Sequence, residues 1–342
     1  MKKGFVAIAL LGLMSGCASM ADLSGAKASE RGRVDSKNAQ TLADKKEVYI
    51  GDFRVTFVIQ DASTATAKSP MMRGADMSDY AKSTLRARLS GVPEAHFQAI
   101  TDRAFEDFKQ GLQARGYRIL SRDHLASQSS WTRLSSQASP NPPYDKVLNN
   151  ESLMSDLFGG RPHDISFAPR GMSLLKIDAG GQYQGGVAKT ADKLGKPIVN
   201  AHYTVHFAYF GSETDYTVDY LNSDVWEGER KATLSAQSSM GQGIQVVPGG
   251  AIVFMVDQGG TFSKNGFIAL EDPVVVGGAY GRNEDSTSGA QKTANAVSSV
   301  LGFFSGSSSK TKEISVVANP DHYQIGALKA LTEANARLLR AF

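Results

Sequence analysis

His202 and His206 stand four residues apart, the spacing at which two imidazoles on one helix face share a metal ion. Their surroundings alternate as a strand does, and on a strand that spacing leaves them on one face but about 13 Å apart, at roughly 3.3 Å per residue. One ion cannot take both, so they read as polar positions on the solvated face of a sheet. Arg161, His163 and Asp164 offer a cation beside an acid–base pair, but neighbouring strand residues point to opposite faces. Lys193-Leu194-Gly195-Lys196-Pro197 imitates a phosphate loop without its upstream glycine or its Ser/Thr, and Pro197 would break the helix such a loop feeds. Asp102, Glu106, Asp107 and Lys109 supply charge for a solvated helix face, Phe105 and Phe108 read as core, and the glycines from Gly241 to Gly281 read as turns. Neither H-E-x-x-H nor G-x-S-x-G occurs. No catalytic, cofactor-binding or metal-binding residue is therefore assigned, and the chain reads as a non-enzyme.

One side chain keeps a clear chemical role. Cys17 is the only cysteine, so no disulfide can form within the chain and the thiol needs another use. Lys2 and Lys3, an apolar run from Phe5 to Met14, and the small residues Ser15 and Gly16 precede it. These are the parts of an export signal, and the run falls well short of the roughly 20 residues that cross a bilayer. Leu13-Met14-Ser15-Gly16-Cys17 resembles the lipobox of bacterial lipoproteins, with Met14 where Leu is usual. The resemblance implies diacylglycerol on Cys17, cleavage just before it and acylation of the freed amine. Ala18, in place of an Asp, implies sorting to the outer membrane, with the body facing the periplasm. One acyl chain anchors only marginally, at about 0.8 kcal/mol per buried CH₂, whereas the three implied chains hold almost permanently. An ordinary signal peptide cut after Ala21, with Ser19 and Ala21 as its small residues, is the alternative.

Charge is nearly balanced, with 37 basic and 34 acidic residues and a net charge of +3. No polybasic stripe appears, which argues against a nucleic-acid partner. Residues 1–16 are the expected signal peptide, 17–46 a lipidated flexible tether and 47–342 the body. Leu23, Val34 and Leu42 are the only large aliphatic residues between Ala18 and Lys46, too few to fold alone. As a coil this tether spans roughly 30 Å.

The expected fold class is α+β, a mixed sheet with covering amphipathic helices and a Gly/Pro-punctuated β meander. In 47–125, over Val48 to Gln60, Phe53, Val55, Phe57 and Ile59 alternate with Arg54, Thr56, Val58 and Gln60 as in a half-buried strand. A polar connection over Asp61 to Asp79 and a short helix over Tyr80 to Leu89 are expected next. Phe97, Ile100, Ala104, Phe108 and Leu112 predict an amphipathic helix from Pro93 to a Gly116 cap, then a strand from Tyr117 to Leu120. Residues 126–198 read as a Ser/Pro/Gly-rich excursion, irregular from Ser127 to Asn150, with short strands at Ile165–Phe167 and Ser173–Ile177 around a turn at Pro169-Arg170-Gly171.

Over 199–276, Val199, Ala201, Tyr203, Val205, Phe207 and Tyr209 predict one strand face, turned toward a helix or a neighbouring subunit. Strands follow at Tyr216–Leu221, Gly243–Val247, Ala251–Val256 and Gly266–Leu270, with Pro248-Gly249-Gly250 and Asn265-Gly266 as turns. Glu213, Asp215, Asp219 and Asp224 leave too short an apolar stretch for a lipid-facing hairpin. Tyr280 to Gly289 reads as a loop. In 290–342, a helix over Ala290–Phe303, a loop over Ser305–Lys312, a strand through Ile314, Val316 and Ala318, and a helix capped by Asn319-Pro320 are expected. That helix presents Ile325, Leu328, Leu331, Leu338 and Phe342 as its apolar face.

Tyr117-Arg118-Ile119-Leu120-Ser121-Arg122-Asp123-His124-Leu125, behind the long helix, resembles the core of curli-secretion-type (CsgG-like) lipoproteins and of the TolB N-terminal domain. The resemblance covers roughly Val48 to Leu125. It implies a strand–helix–strand unit and a bias toward oligomeric envelope assemblies, and it transfers no active-site residue. The functional expectation is a lipid-anchored envelope scaffold or an assembly or secretion accessory that meets envelope proteins or its own copies. A periplasm-facing enzyme or ligand-binding lipoprotein acting on peptidoglycan or polysaccharide is the alternative.

Overall fold

The computed structural model describes residues 32–342 apart from 43, 69–79, 140–162, 178–181, 221–229, 258–264, 290, 293–294 and 296–307. Cys17, the signal and the tether before Gly32 lie outside the described residues, as do Pro140, Pro142, Pro143 and Arg161.

The chain is α+β. Its strands are β1 (Val34–Lys37), β2 (Glu47–Lys68), β3 (Tyr80–Ser90), β4 (Arg118–Ile119), β5 (His163–Phe167), β6 (Ile198–Tyr220), β7 (Arg230–Val246), β8 (Ala251–Val256), β9 (Gly266–Leu270), β10 (Val274–Gly277), β11 (Gly281–Asp285) and β12 (Ser308–Ala318). Its helices are α1 (Glu94–Ala114), α2 (Asp123–Ala126), α3 (Ser129–Ser135), α4 (Gln182–Leu194) and α5 (Pro320–Leu339). The strands form a 12-stranded mixed sheet whose main path is β1-β9-β8-β6-β2-β3-β12-β11. The pairs β2–β6 and β3–β12 are parallel, and β2–β3 and β6–β7 are antiparallel.

Helices cover both faces. On one, Phe97, Ile100, Ala104, Phe108 and Leu112 of α1 and Tyr323, Leu331 and Leu338 of α5 join Phe53, Val55, Phe57, Val205 and Phe207 in the main core. The Phe53 ring packs tilted against Phe105 at 5.1 Å and Phe108 at 5.6 Å, ring centroid to ring centroid. Gly116, at φ +81°, ends α1 as its left-handed cap. Asn319 caps α5 by accepting a hydrogen bond from His322 N at 3.1 Å. On the other face, Trp131 and Leu134 of α3 and Tyr183, Val187 and Ala191 of α4 bury Tyr49 and Ile198 in a second cluster.

Several expectations need correction. The body starts before residue 47: β1 pairs with β9, Leu42 is fully buried, and Asp272 accepts from the N–H groups of Gly32 (3.0 Å) and Arg33 (2.9 Å). Tyr80–Ser90 is a strand, because β2 runs on to Lys68 and Gln60–Lys68 pair with it as a hairpin. Ser129–Ser135 is helical, since Trp131 and Leu134 have a core to enter. Ser173–Ile177 is irregular apart from a single bridge between Ser139 and Leu174. Pro169-Arg170-Gly171 is a turn, with Met172 N donating to Pro169 O at 3.0 Å.

The meander is rearranged. β6 is one 23-residue strand, and β7 and β8 lie end to end along its edge, broken at Pro248-Gly249-Gly250. Asn265-Gly266 is not the hairpin turn, because Gly266 already pairs with Met255. At the irregularity where His206 and Ala208 of β6 face Gln245 and Gln242 of β7, Phe207 and Ala208 are both buried, and Tyr209 is 46 % exposed rather than buried with Tyr203 and Phe207. Tyr280 is buried, Gly281–Asp285 is a strand on β12, and β12 begins at Ser308 within the expected loop. Gly289, Gln291, Lys292 and Asn295 are helical, and the rest of that expected helix lies outside the described residues. Ile325 is 65 % exposed, since α5 turns Tyr323, Ala327, Ala330 and Ala334 inward instead.

Candidate functional site

A bulge in β2 decides which side chains face α4. The register with β6 runs from Ile50 opposite Val199 to Asp52 opposite Asn200, leaving Gly51 as the extra residue. An extra residue flips the alternation of everything beyond it. Phe53, Val55 and Phe57 therefore enter the main core, while Asp52 and Arg54 turn toward α4. A Cβ on Gly51 would sit 2.5 Å from Asn200 Oδ1 and 2.5 Å from Ile198 Cγ2, so only glycine allows this approach. Arg122 Nη1 donates to the carbonyls of Ile50 (2.6 Å) and Gly51 (2.7 Å), satisfying backbone that the bulge leaves bare.

Asp52 is fully buried, and its Oδ2 gathers four donors. Arg54 reaches it through Nη2 at 2.6 Å and Nε at 3.1 Å, His202 through Nε2 at 2.9 Å and Tyr183 through Oη at 3.1 Å. The Asp52 backbone N–H donates to Asn200 Oδ1 at 2.8 Å, and Arg54 Nη2 also donates to Leu175 O at 2.6 Å. Burial pushes the Asp52 carboxyl upward, but the Arg54 charge and the His202 hydrogen bond together outweigh it and hold the group at about 2. Burial, then the Asp52 charge, drives the Tyr183 phenol well above its usual range, so it stays a donor. An ionised carboxylate only accepts, so His202 Nε2 carries the proton and Nδ1 is the ring nitrogen left for another partner. Asp52 Oδ1 is buried without a hydrogen-bond partner, a cost that packing alone gives no reason to keep.

His202 borders a cavity of about 280 Å³. Asn200, His202, Phe254 and Phe267 line it from the sheet, and Tyr183 and Val187 from α4. No Asp, Glu, Ser, Thr or Cys lines it among the described residues. The arrangement suits binding of a small molecule by a histidine of fixed tautomer, and among the described residues the hydroxyl beside that histidine is the Tyr183 phenol, which donates to Asp52.

His202 and His206 share a face, as the spacing implies, but each is held by its own carboxylate from β2: His206 Nδ1 lies 3.4 Å from Asp61 Oδ2. The solvated-face reading is overturned for His202, which α4 covers. His163 and Asp164 sit on β5 opposite Gln60 and Val58. Lys193 lies in the last turn of α4, and Gly195, at φ +62°, follows the helix end. Asp102 anchors the turn after β5, accepting from Arg170 N at 2.8 Å. Among the described residues no group of three or more His, Cys, Asp or Glu could hold a metal ion, and no helix is long and apolar enough to cross a membrane.

The sequence reading passes over Asp52, Arg54, Tyr183 and Asn200. The available signal was Tyr183, Val187, Thr190 and Ala191 at helical spacing, hidden by Gly185-Gly186, which looks like a turn. Compared with family models, with curated proteins and with solved structures, the chain matches none.

Proposed function

We propose that the chain is a lipid-anchored bacterial envelope protein acting as a non-enzymatic scaffold or as an accessory of assembly or secretion. Acylated Cys17 supplies the membrane contact at the periplasmic side of the outer membrane, and envelope proteins or further copies of this chain are the partners. The supporting observation is a pair of hairpins, β2–β3 and β6–β7, that touch beyond the helix-covered core. Ala65, Ala67, Ala81 and Leu85 are buried yet belong to neither hydrophobic cluster. Ser238 and Ser83 join the hairpins, with Ser238 Oγ donating to Ser83 O at 2.9 Å. Beyond this seam, Gly211–Thr214 and Ser235–Gln242 contain no buried residue. Strand surface left uncovered in this way is suited to contact with another protein.

The test extracts the full chain from membranes in mild detergent and measures its mass and co-purifying proteins. A homo-oligomer or a stoichiometric envelope complex is expected, together with fatty-acid labelling that Cys17→Ser abolishes. A strictly monomeric protein without partners would remove the scaffold role, and cleavage after Ala21 without label would remove the anchor. The cavity favours a second reading, a ligand-binding lipoprotein, although its small volume suits a single compact molecule better than a peptidoglycan or polysaccharide chain.

A further inference from the structure

The cavity between α4 and the strands β6, β8 and β9 carries its own chemical instructions. Its walls are Phe254, Phe267, Val187 and Val256, which call for an apolar body. Ile177, 49 % exposed, adds an uncovered aliphatic side chain to the lining. At about 280 Å³ it lies just under the range of about 300 to 1,000 Å³ common for small-molecule sites, so the body is small.

Among the described residues Lys37 of β1 is the charged lining residue, and no acid lines the cavity with it. Behind His202 the buried charges are Asp52 and Arg54, with Arg122 close enough to Asp52 for their charges to interact. Two guanidinium groups and one ammonium thus stand against one carboxylate. Asn200, 1 % exposed, spends its Oδ1 on the Asp52 N–H and keeps its amide N–H₂ for the cavity. His202 spends Nε2 on Asp52 and keeps Nδ1.

We infer that this cavity is a binding site for a small amphipathic monocarboxylate, its apolar body between Phe254 and Phe267 and its carboxylate on the Asn200 amide and His202 Nδ1. Lys37 adds a screened attraction from the rim. The inference stands apart from the anchor and the scaffold role. With Nε2–H donated to Asp52, the imidazolium form of the ring presents Nδ1–H to the carboxylate, and Asp52 is the counterion that stabilises that cation.

The test is calorimetric titration of the detergent-extracted full chain with phenylacetate and hexanoate, against benzyl alcohol and benzylamine as uncharged and cationic counterparts. Saturable binding of a carboxylate at one site is expected. Phenylacetate binding above hexanoate would identify an aromatic body, and the reverse an aliphatic one. His202→Gln should weaken binding about tenfold or more, the worth of a charge-assisted hydrogen bond. Gln184→Trp, on the exposed side of α4 beside the cavity, should block binding without lowering the melting temperature. Benzyl alcohol or benzylamine binding as tightly as the carboxylates would overturn the inference, as would unchanged affinity in both variants or no carboxylate binding at millimolar concentration.

Discussion

On one face of β2, Phe53, Val55 and Phe57 are held by contact with α1 and the aromatic rings around it, while on the opposite face Asp52 and Arg54 are held by directed bonds to His202, Tyr183 and Leu175. Both faces are buried, and both depend on the extra residue at Gly51. They differ in tolerance. An apolar face accepts any side chain of suitable shape and loses energy in proportion to the volume removed. A buried ion pair with three further hydrogen bonds is all or nothing, because deleting one member strands the others in a medium that cannot solvate them. A strand packed on both faces could have been apolar on both, so the polar side points to a use other than stability, and the cavity beside His202 is where that use lies.

The comparison can be broken at its apolar end first. Phe108→Ala, at a fully buried position against Phe53, should cost about 4 kcal/mol in a denaturant titration. Phe105→Ala, at a partly buried position, should cost less than half of that. Equal costs would mean that α1 sits in a different rotation. On the polar face, Asp52→Asn should cost about 3 kcal/mol because Arg54 keeps its charge without a counterion. Asp52→Asn combined with Arg54→Leu should recover most of that loss, and a double variant as unstable as the sum of its parts would show that the pair is not a unit.

Acid sharpens the same contrast. The Asp52 carboxyl is held down at about 2, so its stabilisation is complete above its unfolded value of 3.8 and is lost as pH falls through about 2. Asp272, nearer the surface and also held at about 2 by hydrogen bonds from Arg33 and Gly32, contributes with the same sign. High salt screens Asp272 and leaves Asp52 almost untouched. Melting curves between pH 5 and pH 2 at low and high salt should therefore keep most of their slope in the wild type and flatten in Asp52→Asn, an effect smaller than either substitution at neutral pH.

Legibility in the sequence followed the same division. The helix of Phe97, Ile100, Ala104, Phe108 and Leu112 was readable because period and cap agreed, as was the Asn319-Pro320 start of α5. The strand of Phe53, Val55 and Phe57 was readable from its alternation, but its length was not, since Ala62 to Lys68 carries small and polar residues of which Ala65 and Ala67 are buried, outside the helix-covered core. Tyr80–Ser90 fell the same way, its pairing with Gln60–Lys68 being a non-local fact. Asp52 was invisible because nothing local shows that α4 would cover the polar side, and α4 itself hides behind Gly185-Gly186. Burial of His202 depends on both.

The most direct measurement is the ring tautomer of His202, read by nitrogen chemical shifts in histidine-labelled protein without added ligand at neutral pH. The geometry requires a proton on Nε2, donated to Asp52. In Asp52→Asn the preference for a proton on Nε2 should weaken or reverse. A ring bare at Nε2 in the wild type, or a preference indifferent to Asp52→Asn, would contradict the account of this face.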